Sequence, residues 1–433
     1  MMYSDRAVRP TVVEWTNHGQ ITDSALSTPL YCLSIGHLGD RHPLGWERFV
    51  AKIEGAMESG APFRQFILKV HGRCDLACDH CYVYTKADQR WRLRDRMMSR
   101  EIVDHVARRM AAHVRTHGLS SVDVVLHGGE PLLAGRNHLE YCVRSIRDAC
   151  AGCDVRFGLQ TNGMLLSSSF LSLFASLGVR VGVSVDGYQE AHDRHRRRHD
   201  GSGSFDAVAA ALAELREWPE VYAGLLCTVD LANDPVRTYE ALLEFSPPAV
   251  DFLLPNGNWS SPPPGRGPRG TPYADWLVAV FDRWYPAVPQ ETTVRLFTEI
   301  ITVLLGGWSR VEGIGTTPHA MIVVETDGSI ELSDMVSTAF DGAGATGLNV
   351  ARDDFDTAAR HPAVRAARTG VPPPACRDCE LRRVCGGGSY AHRYREGAGF
   401  DGPSVYCLDL FRLISHVRDR VGRDVALLAG RSG

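Results

Sequence analysis

Three cysteines, Cys74, Cys78 and Cys81, fall within the eight residues CDLACDHC. Thiolates are ligands for soft metals, and three of them are one short of a closed tetrahedral site. On a [4Fe–4S] cluster they would leave one iron without a protein ligand. An open position of that kind marks a centre that does chemistry, and a small molecule carrying an amine and a carboxylate could chelate the free iron. A second set lies near the end of the chain. Cys376, Cys379 and Cys385 are spaced C-x2-C-x5-C, with Cys407 following in PSVYC. Four thiolates complete a closed site, for zinc or for another cluster.

The elements that must hold these residues are legible in the apolar pattern. The chain has 433 residues, 44% of them hydrophobic, a net charge of −4 and twelve cysteines. That length allows two or three domains. No basic excess points to a nucleic acid, and no apolar run of about 18 residues points to a membrane. The polar N-terminus does not read as a signal peptide, so a cytoplasmic protein with reduced cysteines is expected. Residues 46–60 read as an amphipathic helix. Six strand–helix units follow, with strands at 65–70, 122–126, 155–160, 179–185, 222–229 and 249–254. Their helices lie at 101–118, 138–150, 168–178, 204–218, 235–245 and around 274–285. The strands are too apolar to face water on one side, which predicts a parallel α/β sheet covered by helices.

In such sheets chemistry collects at the carboxyl ends of the strands. The cysteine triplet follows the first strand, HGGEP (127–131) the second, QTNG (160–163) the third and SVDG (184–187) the fourth. TVDLAND (228–234) and PNGNW (255–259) follow the fifth and sixth. Each is turn chemistry when taken alone, but all fall at the same end of their units. No G-x-G-x-x-G follows the first strand, which argues against a dinucleotide fold. Cys150-x2-Cys153 lies at the opposite end, beside Cys142, and with Cys32 and Cys227 reads as packing. Residues 255–272 read as a disordered surface loop, cover for the sheet's mouth being the other reading.

The triplet spacing with GGEP one strand later resembles the radical S-adenosylmethionine (SAM) superfamily. The resemblance implies a partial (β/α)6 TIM-like barrel over 65–300, after an N-terminal extension at 1–64. It implies a [4Fe–4S] cluster on Cys74, Cys78 and Cys81, and reductive cleavage of SAM to a 5′-deoxyadenosyl radical. Gly128, Gly129 and Glu130 match the motif that meets the SAM amine. Ser184 matches a contact to its carboxylate or ribose, with Gln160, Asn162 and Asp186 as further polar contacts. Arg196, one of several arginines in HDRHRRRHD (192–200), could pair with the carboxylate. His80 stands where an aromatic usually lies near adenine.

The C-terminal cysteines after such a barrel resemble the SPASM extension, here 301–425, which implies an auxiliary [4Fe–4S] cluster on Cys376, Cys379, Cys385 and Cys407. Full SPASM domains carry a further cluster, but Ser333 and Ser389 stand at its cysteine positions, so two clusters in total are expected. Asp334 follows Ser333, at the position of the acidic residue that is the candidate base in sulfatase-maturing relatives; a turn aspartate is the other reading. Residues 69–91, 344–350 and 385–407 resemble the FxsB-like SPASM maturases. That likeness implies a cyclophane crosslink between an aromatic ring and a β-carbon of a ribosomally made precursor peptide. An electron donor such as flavodoxin or ferredoxin is implied as a partner. Thioether formation, epimerisation and formylglycine formation are the alternatives.

Overall fold

The computed structural model describes residues 61–267 and 270–431. The helix expected over 46–60, most of the 1–64 extension and Cys32 lie outside them.

β1 (Gln65–His71) starts the expected series. α1 (Arg100–His117), β2 (Ser121–Gly128), α2 (Arg136–Ala149), β3 (Asp154–Thr161), α3 (Ser168–Leu177) and β4 (Val179–Ser184) follow. After them come α4 (Gln189–His195), α5 (Phe205–Leu215), β5 (Tyr222–Thr228), α6 (Pro235–Leu243), β6 (Ala249–Leu253), α7 (Pro272–Trp284), β7 (Thr293–Val294) and α8 (Arg295–Leu304). All six expected units are present, within a few residues of their predicted bounds. α1 shows why they form. Ser99 caps it by accepting from Ile102 N, and its stripe of Val103, Val106, Met110 and Val114 is buried. Gly118 ends it at φ 57°, a left-handed turn that costs a side-chain-bearing residue free energy.

β1 to β7 run parallel in chain order. The sheet does not close. On its other side β1 pairs in parallel with β8 (Met321–Val324), and β9 (Ser329–Glu331) and β10 (Ala345–Asn349) add two antiparallel strands beyond it. The strands of the 301–425 region therefore extend the barrel's own sheet.

The rest of that region is helical and irregular: α9 (Phe355–Arg360), α10 (Pro362–Arg368), the short α11 (Arg382–Cys385) and α12 (Cys407–Arg431). α12 buries Leu410, Leu413, Ile414, Val417 and Val421. Its Asp409 carboxylate accepts from the backbone N–H groups of Tyr273 and Ala274, capping the first turn of α7 from a different helix.

The reading of 255–272 as a disordered loop is corrected for residues 255–267, which are anchored. Asn258 is fully buried, donates to Thr338 O and accepts from Ser260 N and Ser261 N. The Trp259 indole donates to Pro403 O, and Arg266 donates to Val405 O. Its ring lies near the guanidinium groups of both Arg266 and Arg395. The missed signal was the aromatic and arginine content within a Pro/Gly-rich frame, which gives a loop anchors as well as turns.

Candidate active site

The cysteine loop leaves the carboxyl end of β1 and is pinned from three sides. Gly129 N donates to His71 O and Glu130 N to Arg73 O, so the strand-end glycines lie directly against the loop backbone. A side chain at Gly129 would place its Cβ 1.8 Å from the Tyr84 hydroxyl, and one at Gly128 would fall 2.2 Å from His71 O. Only glycine fits this approach. From the far side Ala77 N donates to Arg197 O, and His199 donates to Cys74 O. Part of the 192–200 charge run is thus a clamp on the loop.

Cys74, Cys78 and Cys81 are half-buried. Leu76 N and Asn162 Nδ2 lie 3.4 Å and 3.6 Å from Cys74 Sγ, donors aimed at sulfur as a bound thiolate would require. Burial pushes the Cys74 thiol well above its ordinary range and Cys78 to about 11, with the Arg196 charge pulling Cys78 back down.

The expected polar contacts line the same strand ends, mostly bound to one another. Glu130 is fully buried; its carboxylate accepts from Leu132 N, Thr161 Oγ1 and Asn162 N at 2.8–2.9 Å. Burial raises it to about 7 against these three donors. As placed, the carboxylate expected to meet an ammonium is a latch between β2 and β3. Asn162 also donates to Asp75. Gln160 donates to Ser184 Oγ at 3.0 Å. Asp186 is paired with Arg196 at 2.7 Å and accepts from Thr228 N. Of the neighbouring arginines, Arg194 is bound to Asp230 and Asn233, while Arg197 and Arg198 are exposed; Arg196 alone of the four reaches Asp186 and Cys78. The His80 ring stands edge-on to His195 at 5.3 Å, with Nε2 3.8 Å from Asp186.

A cavity opens beside the loop, lined by Lys69, Gly129, Glu325, Ser333 and Asp334 among others. Asp334 Oδ2 accepts from the buried Lys69 ammonium and from the Tyr82 phenol at 3.1 Å. Among the described residues Oδ1 has no hydrogen-bond partner. Burial would raise this carboxyl, but Lys69 and then His127 outweigh it and hold it at about 2. Asp334 is therefore a fixed anion inside a cavity, which a solvated turn aspartate is not. Glu325, paired with Arg94 at 2.9 Å, is pushed the other way by burial, to about 7. Lys69, Tyr82, His127 and Glu325 were not singled out from the sequence. Lys69, the lone charge in QFILKV, was the available signal.

Cys376, Cys379, Cys385 and Cys407 line one cavity. Among the described residues, only Asp79–His80–His195 and His113–His117–Asp356 have three ligand atoms all within 4.8 Å of one another. Neither cysteine set is that compact. One zinc at about 2.3 Å would draw its sulfurs to within about 4 Å of each other, whereas a cluster gives each thiolate its own iron. The spread suits a cluster at both sites. Ser333 lines a separate cavity with Glu312, His319 and Tyr390, and Ser389 donates to Glu312 at 2.7 Å. Where a further cluster was judged missing, the ligand positions hold hydrogen-bonding and packing groups.

Residues 68–221 match the family model of the Radical SAM superfamily. The matched segment runs from β1 through α5 and includes the cysteine loop. The chain is similar to the cysteine-type anaerobic sulfatase-maturating enzyme of Clostridium perfringens, 25% identical over 76% of this chain and 88% of that protein. It is 22% identical to the serine-type enzyme of Bacteroides thetaiotaomicron, over 82% and 89%. Among solved structures, native anSMEcpe with bound AdoMet superposes with a TM-score of 0.71, at 22% identity over 83% of this chain and 98% of that one. Streptococcus suis SuiB bound to precursor peptide SuiA gives 0.57, at 13% identity over 88% and 85%. No described helix is long and apolar enough to cross a membrane.

Proposed function

We propose that this chain is a radical SAM enzyme that oxidises a side chain within a peptide or protein, in the manner of sulfatase maturation, turning a cysteine or serine into the aldehyde of formylglycine. The observation that carries the reading is Asp334, a carboxylate 13% exposed in its side chain and paired with Lys69, in a cavity bounded by the glycines that also pin the cysteine loop. The similarity to sulfatase-maturating enzymes over most of the chain supports it. This moves the preferred product from the expected cyclophane to an alternative weighed beside it.

Cys74, Cys78 and Cys81 would hold a [4Fe–4S] cluster with one iron open to SAM, and Cys376, Cys379, Cys385 and Cys407 an auxiliary one. When bound, these groups supply a carbon-centred radical and a path for an electron. The chain does the rest. Gly128 and Gly129 bring the backbone close to the loop, and Asn162 and Arg196 bias the charge around Cys74 and Cys78. Lys69 and Tyr82 fix Oδ2 of Asp334, leaving Oδ1 aimed for a substrate thiol or hydroxyl proton. Glu325 stands in the same cavity as a group able to carry that proton onward near neutral pH.

A crosslink is the second reading, favoured by Ser333 and Ser389 at positions where a further cluster would need cysteine. Mass spectrometry of a candidate peptide after reaction decides between them. A product that a hydrazine probe labels as an aldehyde supports the first; one lighter by two hydrogens that the probe leaves untouched supports the second. SAM cleaved with no peptide altered by any preparation would remove both.

A further inference from the structure

His113 and His117 lie four residues apart on α1, a spacing that puts both imidazoles on one face of a helix. Asp356, from α9 of the extension, stands between them. Its Oδ1 is 2.7 Å from His113 Nδ1 and 2.8 Å from His117 Nε2. The three ligand atoms lie within 4.8 Å of one another.

With a neutral imidazole, the contact between His113 and Asp356 has no proton to share. His113 Nε2 faces the carbonyl oxygen of Phe63 at 3.2 Å, and a carbonyl only accepts, so Nε2 carries a hydrogen. In neutral imidazole Nδ1 is then a bare lone pair, pointed at a carboxylate oxygen that is also an acceptor. Protonating His113 would relieve this, but the residue is 2% exposed and packed among the rings of Phe63, Phe66 and Phe355. Hydrogen bonding of one ring nitrogen to a backbone carbonyl, with the other nitrogen facing outward, is the arrangement that orients a metal-binding histidine. His117 and Asp356 are each only about 28% exposed in their side chains, enough for an ion to enter.

We propose that His113, His117 and Asp356 form a divalent metal site, for zinc by its two-nitrogen, one-oxygen donor set, that ties α1 of the barrel to α9 of the extension. Zinc at about 2.0–2.2 Å from each ligand needs them roughly 3.3 Å apart, so each imidazole moves from the Asp356 oxygen by about half an ångström on binding. The fourth position is left to water. The site is remote in sequence from both cysteine sets and takes no part in the proposed reaction; it would stabilise the join between the two halves of the sheet.

The test compares the cluster-loaded wild type with His117→Ala and Asp356→Asn, both at partly exposed positions, and with His105→Ala on the same helix as a control. Each is incubated with zinc chloride, desalted and assayed for zinc; zinc held by thiols cancels in the comparison. The expected result is about one more zinc per chain in wild type and His105→Ala than in the two site variants. Zinc should also raise the unfolding temperature of the wild type by several degrees, and of neither variant. Equal zinc in all four proteins, or no zinc in the wild type, overturns the site and leaves the trio a hydrogen-bonded ion pair.

Discussion

Tyr82, the residue after the last cysteine of the triplet, donates its phenol hydrogen to Asp334 across 3.1 Å, though the two are 252 residues apart in the chain. The bond joins the cysteine loop to the segment that follows β9. Any movement of one is felt by the other.

Asp334→Asn keeps the size of the side chain and removes its charge. If Oδ1 takes the substrate proton, the variant should cleave SAM at close to the wild-type rate while yielding at least tenfold less altered peptide. Simultaneous counting of 5′-deoxyadenosine and product checks this. Product in wild-type proportion would assign Asp334 to structure alone.

The same pair carries stability. Removing one partner of a buried ion pair leaves an uncompensated charge, so Asp334→Asn should cost roughly 3 kcal/mol, as should Lys69→Met. The double variant leaves no stranded charge and should cost clearly less than the sum. Denaturant unfolding of the four proteins measures the cycle. Additive losses would show that Lys69 and Asp334 do not sense each other.

Iron content tests the cysteine sites. Anaerobic reconstitution should give about eight irons per chain, and the triple change Cys74→Ala, Cys78→Ala, Cys81→Ala about four, with SAM cleavage abolished. A wild-type count near four or twelve contradicts two clusters; 5′-deoxyadenosine from the triple variant contradicts the assignment of the open iron.

Glu130 sets a pH dependence. Its folded value near 7 lies above the ordinary 4.5, so the folded state holds a proton that the unfolded chain has released. The contribution is full below pH 4.5, declines as pH rises and is gone above 7, at about 1.4 kcal/mol per pH unit within that window. Between pH 5.5 and 7 wild-type stability should therefore fall more steeply than that of Glu130→Gln, by about one proton. Parallel profiles would mean that Glu130 is ionised in the fold.

How far the sequence could be read follows from what each signal depends on. The strands and helices of the six units obey local periodicity, so they were legible from apolar spacing, while the short, charged α4 between β4 and α5 was not. The cysteines were legible because their chemistry is rare and their spacing short. The partnerships of Glu130 and Asp334 were not, because they depend on strands meeting in register: Lys69 stands opposite His127 only when β1 and β2 pair. Asn258 hid for a different reason. Its partner, Thr338, lies 80 residues on, and nothing local distinguishes a buried loop asparagine from a turn asparagine.

β8 fills the last open side of β1, and this has a bearing on how the protein is made. Leu68 is synthesised early, but its partner Val324 emerges roughly 250 residues later. Until then the strand that leads into the cysteine loop has a bare edge, open to pairing with other chains. The cavity cannot form on the ribosome before most of the polypeptide exists, and a truncated chain ending short of β8 would be aggregation-prone rather than a smaller working enzyme.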